Sequence, residues 1–261
     1  MAKMIGDAGF PLTLWARRPA SLEAFVGSNA EVVETPLDVG RRSDVLCICV
    51  VADDDVDEVL RGPIGALARM KPGGIVVVHS TVHPRTCLRL QEDYPGLAVL
   101  DAPVSGGADA ARSRTLLVMV GGNAAPVDQC RPVFAAFANV VVHVGPLGSG
   151  QEAKLLNNVL FAAQLGLVAD LFAVATLRGL DREGLTTVLR NGSGRSFALD
   201  VLARSQRDLP AMASTAGPLL AKDVGTLGEL IAPLHPRILR AAEEALSGMG
   251  VSHSKPESGE P

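Results

Sequence analysis

The sequence predicts an α/β protein in which a doubly wound parallel sheet is followed by an all-α domain. Short apolar runs alternate with helical segments from the N-terminus to about Val144, and from about Gln151 the pattern is helical only. The run Asp44-Val-Leu-Cys-Ile-Cys-Val-Val51 is apolar without alternation, as expected for a parallel strand covered on both faces. The expected organisation is a sheet domain over residues 1–146, a helical domain over 147–248 and a disordered tail over 249–261.

Met1 to Ala8 reads as the tail of a helix ended by Gly9, and Leu12-Thr-Leu-Trp15 as a strand running into Ala16-Arg17-Arg18-Pro19. A helix over Pro19 to Val26 leads to a short strand near Val32, and the apolar run ending at Val51 passes through Ala52-Asp-Asp-Asp55 into a helix that reaches about Leu60. Strands at Ile75–Val78, Ala98–Leu100, Leu116–Val120 and Val140–Val144 then alternate with helices near Pro84–Glu92 and Pro126–Ala138.

Beyond the sheet, Leu155 to Leu177 is apolar on nearly every face, interrupted by Asn157, Asn158, Gln164 and Asp170, which argue against a membrane span. Such a helix is roughly 40 Å long at 1.5 Å per residue, more than one small domain can cover. A second protomer is the expected cover, in a homodimer or homotetramer. Further helices are expected near Arg182–Leu189, Ala198–Arg204, Pro218–Leu230 and Pro236–Gly248. The closing residues, rich in Ser, Gly, Pro and charge, suit a disordered tail.

An apolar share of 48%, 3% aromatics and a formal net charge of −4 suit a soluble protein and leave no basic footprint for nucleic acid or a membrane surface. Cys47, Cys49, Cys87 and Cys130 have neither metal-ligand nor redox spacing, which fits a reduced, cytoplasmic setting. The stretch from Met1 to Asp7 lacks the apolar core of a secretion signal, and no charge-free span is long enough to cross a bilayer.

Chemistry concentrates at Gly145-Pro-Leu-Gly-Ser-Gly-Gln-Glu-Ala-Lys154-Leu-Leu-Asn-Asn158, where glycines mark a loop and Gln151 or Glu152 is expected to open the long helix. Lys154 and Asn158 stand four residues apart, so both project from one helix face near its N-terminus. A solvated lysine and a capping asparagine are the alternative for this stretch taken alone.

Five motifs in order carry a resemblance. Asp101-Ala-Pro-Val-Ser-Gly-Gly107, Thr115-Leu with Met119-Val-Gly-Gly122, Gly148 to Asn158, His79-Ser-Thr-Val-His-Pro84 and Leu220-Ala-Lys222-Asp223 resemble the β-hydroxyacid dehydrogenase family. That family includes 3-hydroxyisobutyrate dehydrogenase and the glyoxylate/succinic semialdehyde reductases, and the similarity runs from Met1 to about Leu246. The resemblance implies a Rossmann-type domain that binds NADP or NAD, and a small hydroxyacid, or its aldehyde or keto partner, held between domains. It implies that Lys154 relays a proton as hydride moves, with its pKa depressed by burial and by a cationic ring. Asn158 would bind the substrate or position Lys154, and Ser105, Gly106 and Gly107 would meet the substrate carboxylate. Asp53 and Thr81 would approach the adenosine and nicotinamide sides, and Lys222 would reach the cofactor. Arg17 and Arg18 stand where an acidic residue would select NAD, which favours NADP.

Departures from the family pattern are equally specific. The family begins with a strand and a Gly-x-Gly-x-x-Gly turn, whereas Met1-Ala-Lys-Met resembles the helix after that turn; the expectation is an N-terminally incomplete sheet lacking its central strand and pyrophosphate loop. Ala110 and Arg114 stand where glycines are usual, and His79 where Asp is frequent. Two alternatives remain at this level: a cofactor-free pseudoenzyme or dimerisation module if Met1 is the true start, and an imine reductase, a class that generally lacks the lysine. A chromatin reader has no basic tail or linker here to support it.

Overall fold

In the computed structural model, which describes residues 1–204, 209–214 and 216–251, the chain forms two compact units, Met1–Lys154 and Leu155–Pro261. The first contains α1 (Ala2–Asp7), β1 (Thr13–Leu14), β2 (Glu31–Val32), α2 (Pro36–Arg42), β3 (Val45–Ile48), α3 (Asp53–Leu60), β4 (Ile75–Val78), α4 (Pro84–Asp93), β5 (Ala98–Asp101), β6 (Val104–Ser105), α5 (Gly107–Arg112), β7 (Leu116–Gly121), α6 (Ala124–Ala135) and β8 (Ala138–Gly145). α7 (Ser149–Leu177) carries the chain into the second unit, followed by α8 (Arg182–Asn191), α9 (Phe197–Arg204), α10 (Gly217–Leu230) and α11 (Arg237–Gly248). The compact units thus meet inside α7, after Lys154. From residue 252 on, the expected tail lies outside the described residues.

β4 is the best covered strand: Ile75, Val76, Val77 and Val78 are all buried, between parallel neighbours β3 and β5. Burying a valine side chain fully is worth about 1.5–3 kcal/mol, so this strand anchors the unit. One cluster on the sheet gathers Leu46, Val76, Val78, Leu90 and Val99 against α3 and α4, and another gathers Ile75, Val77, Leu100, Val118 and Phe134 against α6. Helices on both faces give the doubly wound α/β arrangement that the sequence predicts.

Several details differ from expectation. The sheet is mixed rather than parallel throughout, because β7 meets β5 and β6 antiparallel and β8 runs parallel to β7. Between β5 and β7 lie only a two-residue strand and a six-residue helix, too short for the helical crossover that parallel neighbours need. β3 buries Leu46 and Ile48 but leaves Cys47 exposed, and Cys49 beyond it is exposed too, so this strand is not covered on both faces. Among the described residues β1 and β2 pair only with each other and β3 pairs only with β4, the gap expected where the central strand is lacking.

The last difference concerns α2, which the sequence reading leaves out although its start is written in Thr35-Pro36-Leu37-Asp38. Thr35 accepts from the Asp38 N–H at 3.3 Å and its hydroxyl donates to the Asp38 carboxylate at 2.7 Å, with proline at the first helical position. α7 begins at Ser149, ahead of the expected Gln151 or Glu152.

In the second unit α7 is the axis. Leu155, Val159, Ala162, Leu165 and Phe172 pack with Leu199, Leu202, Leu220, Val224, Leu239 and Leu246. Gly166 lets α11 approach, since a Cβ there would come within 2.9 Å of the Ala245 Cβ. The opposite side is bare: Leu156, Leu160, Leu167, Leu171, Val174 and Leu177 are exposed. By length and composition alone α7 could cross a membrane.

His79, directly after β4, provides a pH-dependent test of the sheet unit. It is buried edge-on against Phe134 and Phe137, with ring centroids 5.9 and 5.6 Å away. Its Nδ1 lies 2.7 Å from the Ala102 carbonyl and so carries the proton, while Nε2 has no partner among the described residues. Burial pushes its pKa down from 6.5 to about 4. A depressed pKa means that the unfolded state binds the proton more readily, so the contribution of His79 is complete above pH 6.5 and is lost as pH falls toward 4. Urea unfolding of the protein is expected to show a loss of about 2 kcal/mol between about pH 7.5 and 5 from this residue; His79→Phe should flatten that part of the profile, and an unchanged slope would remove His79 as its source.

Candidate active site

Polar groups of the first unit converge on the start of α7. β5 ends at Asp101, whose side chain is fully buried. Its Oδ1 accepts from the Gly148 N–H at 2.7 Å and its Oδ2 from the Gln151 N–H at 2.6 Å. These donors belong to the opening turn of a 29-residue helix, where N–H groups lack partners within the helix and the positive end of the helix dipole lies. Burial raises the Asp101 pKa, and the N–H bonds work against that rise by favouring the carboxylate. Gly150 permits the approach: a Cβ there would lie 2.5 Å from the Met119 carbonyl oxygen and 2.8 Å from Asp101 Oδ2.

Gln151 is also fully buried, and its amide serves two backbone groups on one loop. Oε1 accepts from the Val82 N–H at 3.1 Å and Nε2 donates to the Ser80 carbonyl at 2.8 Å. The Ser80 hydroxyl oxygen in turn accepts from the Val50 N–H at 2.7 Å. Beside it, Asp53 Oδ1 accepts from the His83 N–H at 2.9 Å and from the Thr86 hydroxyl at 2.5 Å. The loops after β3 and β4 are therefore bonded to each other and to α7. Thr81 lies half-buried within this frame, and Lys154, half-buried, follows Gln151 by less than one turn.

Ser105 closes β6 opposite Leu117. Gly106 and Gly107 follow with φ of 129° and 72°, a region that favours glycine. At Gly106 a Cβ would also crowd Ala110 Cβ at 2.6 Å, whereas Gly107 borders open space. Arg17 Nη2 lies 2.8 Å from both Asp55 Oδ1 and Glu58 Oε2, binding the end of β1 to α3. The bond to Asp55, then the Glu58 charge, raises the Arg17 pKa, and the same bond lowers that of Asp55. Arg18 is exposed beside it.

On the second unit, Asn158 Nδ2 donates to Asp223 Oδ2 at 2.5 Å and its Oδ1 accepts from Asn157 at 3.1 Å. Asp223 is buried, and its Oδ1 stands 2.8 Å from Lys222 Nζ in a salt bridge. α7 is continuous, so Lys154 and Asn158 remain one turn apart on one helix face. The roles of Asp101, Gln151 and Ser80 are absent from the sequence reading. The one available signal was polarity, Asp101 closing an apolar strand and Gln151 following the glycine loop.

Loops at the carboxyl ends of β1, β3 and β4, in a doubly wound unit, define the class at the level of fold: a protein built like the dinucleotide-binding ones. Residues 1–145 match the family model described as the NAD binding domain of 6-phosphogluconate dehydrogenase, and residues 148–247 match that described as NAD-binding of NADP-dependent 3-hydroxyisobutyrate dehydrogenase. The chain is 32% identical over 238 residues to the NAD-dependent L-serine dehydrogenase of Pseudomonas aeruginosa, covering 88% of this chain and 80% of that one. It is 31% identical over 202 residues to the human mitochondrial 3-hydroxyisobutyrate dehydrogenase, covering 77% of this chain and 60% of the relative. The structure of Mycobacterium tuberculosis 3-hydroxyisobutyrate dehydrogenase with L-serine superimposes with a TM-score of 0.81 at 23% identity, over 97% of this chain and 89% of that one. The chain belongs to the β-hydroxyacid dehydrogenase family and is a 3-hydroxyacid dehydrogenase-like, hydride-transferring enzyme with an NAD(P)-binding domain.

Arg18 is exposed at the end of β1 and a buried hydrogen-bond frame flanks Thr81, both at the carboxyl ends of strands, where a doubly wound fold binds its ligands. No Gly-x-Gly-x-x-Gly occurs in the 261 residues to cradle a pyrophosphate. Two clefts of about 370 Å³ run along α1, and neither is lined by Thr81 or Lys154, so they are not where the chemistry is placed.

Proposed function

We propose that this enzyme oxidises a small β-hydroxyacid, or reduces its aldehyde or keto partner, with Lys154 as the proton relay. The observation that supports this reading is the bonding of the Thr81 loop to Gln151 in the first turn of α7, the turn that leads into Lys154. Bound NADP or NAD supplies or accepts the hydride. When a C–H hydride leaves an alcohol, the hydroxyl proton must leave as well; Lys154 Nζ takes it and returns it to solvent, and the reverse reaction runs the same path. Ser105, Gly106 and Gly107 supply a hydroxyl and backbone N–H groups to the substrate carboxylate. Asn158, oriented by Asp223, binds the substrate or steadies Lys154, and Lys222 reaches toward the cofactor. L-serine, the substrate in the name of the P. aeruginosa relative, is itself a β-hydroxyacid, which supports the substrate class.

Asp53 already spends one carboxylate oxygen on His83 and Thr86, so in this reading it shapes the nicotinamide-side loop rather than only meeting adenosine. The free cysteines, two of them exposed, support a reducing, cytoplasmic compartment. An imine reductase is disfavoured by Lys154. The bare face of α7 supports a homodimer or homotetramer; sedimentation at micromolar concentration should give a multiple of the single-chain mass, and a monomer would withdraw this part of the proposal.

Lys154→Ala is expected to lower turnover on the order of 10²-fold or more with little change in dinucleotide affinity. Steady-state kinetics over a panel of short hydroxyacids and aldehydes reads this directly, and a variant that keeps its turnover would exclude the relay.

NADP is proposed over NAD because no acidic residue follows β1 and Arg18 is exposed there. Arg17 is already engaged by Asp55 and Glu58, so Arg18 is expected to carry more of the selectivity. Arg18→Ala should weaken NADP binding about 10-fold, the scale of a charge-assisted hydrogen bond, and Arg17→Ala less, with NAD binding nearly untouched in both. Calorimetric titration with the two dinucleotides decides it, equal losses for both ligands being the contrary result.

A further inference from the structure

We propose that Gln151 is a positioning residue for hydride transfer: its buried amide fixes the two peptide groups that flank Thr81 onto the helix that carries Lys154. The inference rests on the reading of Lys154 and Thr81 given above. Its basis is the match of donors and acceptors across the amide, which also bonds the Cys87 thiol. The Gln151 carbonyl faces an N–H donor, Val82, at 3.1 Å, and its NH2 faces an acceptor, the Ser80 carbonyl, at 2.8 Å. Thr81 lies between those two residues, so its backbone is gripped on both sides by a side chain with no solvent exposure. Gln151 is held in turn at its own N–H by Asp101 Oδ2 at 2.6 Å, which fixes the axial position of the helix and therefore of Lys154, three residues on. The Ser80 hydroxyl extends the grip to Val50, after β3. Three strand ends and the proton relay thus share one rigid connection, and reacting groups held this way need no ordering at each turnover.

The pairing also dictates which replacements can work. Methionine has similar length and neither donor nor acceptor. An ionised glutamate would turn an oxygen toward the Ser80 carbonyl, whereas a protonated glutamate offers a carbonyl to Val82 and an O–H to Ser80, as the amide does. The charged and titratable groups around this side chain include Asp101, which accepts from the Gln151 N–H, the Cys87 thiol bonded to its amide, Asp53 beside Cys87, and Lys154 three residues on; burial beside carboxylates raises the pKa of a glutamate placed there.

The test compares the full chain with Gln151→Met, Gln151→Glu and Lys154→Ala at about pH 9 and about pH 6. Two quantities are read: hydrogen exchange of the Val82 and Val50 amides as a ratio to the parent at the same pH, and turnover with its primary deuterium isotope effect. Gln151→Met should raise Val82 exchange on the order of 10-fold and lower turnover on the order of 10-fold or more at both pH values. Its isotope effect should increase, and its dinucleotide KM should change little. Gln151→Glu should match it at the higher pH and return toward the parent at the lower, a rescue that a general loss of packing would not show. The proposal is overturned if Gln151→Met keeps parental turnover while Lys154→Ala loses it, or if Gln151→Glu shows no recovery on acidification. Should Gln151→Met fail to fold, the pH response of Gln151→Glu decides alone. Should Lys154→Ala retain turnover, the relay reading fails instead, and Val82 exchange still reports whether Gln151 holds the loop.

Discussion

A carboxylate without solvent contact, Asp101, sits at the start of the longest helix, and much of the first unit is arranged to make that tolerable. Burying a lone charge costs several kcal/mol after relaxation, unless charge or hydrogen bonds replace the lost water. Here the replacement is the opening turn of α7, which supplies N–H groups to both oxygens. The requirement runs in both directions. The helix needs acceptors for its unpaired N–H groups, and the acid needs donors. Gly150 follows from the same contact, since the turn must press close enough that no Cβ fits between Asp101 and the Met119 carbonyl.

With the helix start seated in this way, the remaining connections fall into place at the carboxyl ends of the strands. β4, the most deeply buried strand, delivers Ser80 and Thr81 to the loop that Gln151 holds. β3 delivers Val50 to the Ser80 hydroxyl and Asp53 to the start of α4. The end of β1 joins through Arg17 and the acidic first turns of α3. That ion pair is exposed, so it contributes little to stability by itself; it engages Arg17, whose neighbour Arg18 is exposed. Loops built in this way are precise because each is held by a buried group on a neighbouring element.

The second unit answers a different problem. α7 is apolar around its whole circumference, so one small helical cluster can cover only part of it. Its polar interruptions are not equivalent. Asn158 is tied to buried Asp223, while Asn157 reaches only its neighbour Asn158. A buried aspartate between an amide and Lys222 restricts the asparagine rotamer, the kind of constraint a ligand-binding side chain requires.

Much of the architecture was legible in local pattern. The alternation of strand and helix, the change to helix after the glycine loop, and most element positions follow from periodicity and from turn residues, which act within a few neighbours. α2, whose start is written in Thr35-Pro36-Leu37-Asp38, shows the same locality. The motifs around Asp101, Thr81 and Lys154 carry the family resemblance in the sequence alone. Tertiary structure alone decided that β7 reverses against β5, that Cys47 and Cys49 are exposed on a run that reads as doubly buried, and that Arg17 is already paired. It alone decided, too, that Gln151 and Asp101, fifty residues apart in the chain, act on one loop and one helix turn. Sequence carries propensity and spacing, which are properties of neighbours along the chain. Partner choice for a buried donor or acceptor depends on which distant backbone group arrives within about 3 Å, and only the packed fold sets that distance.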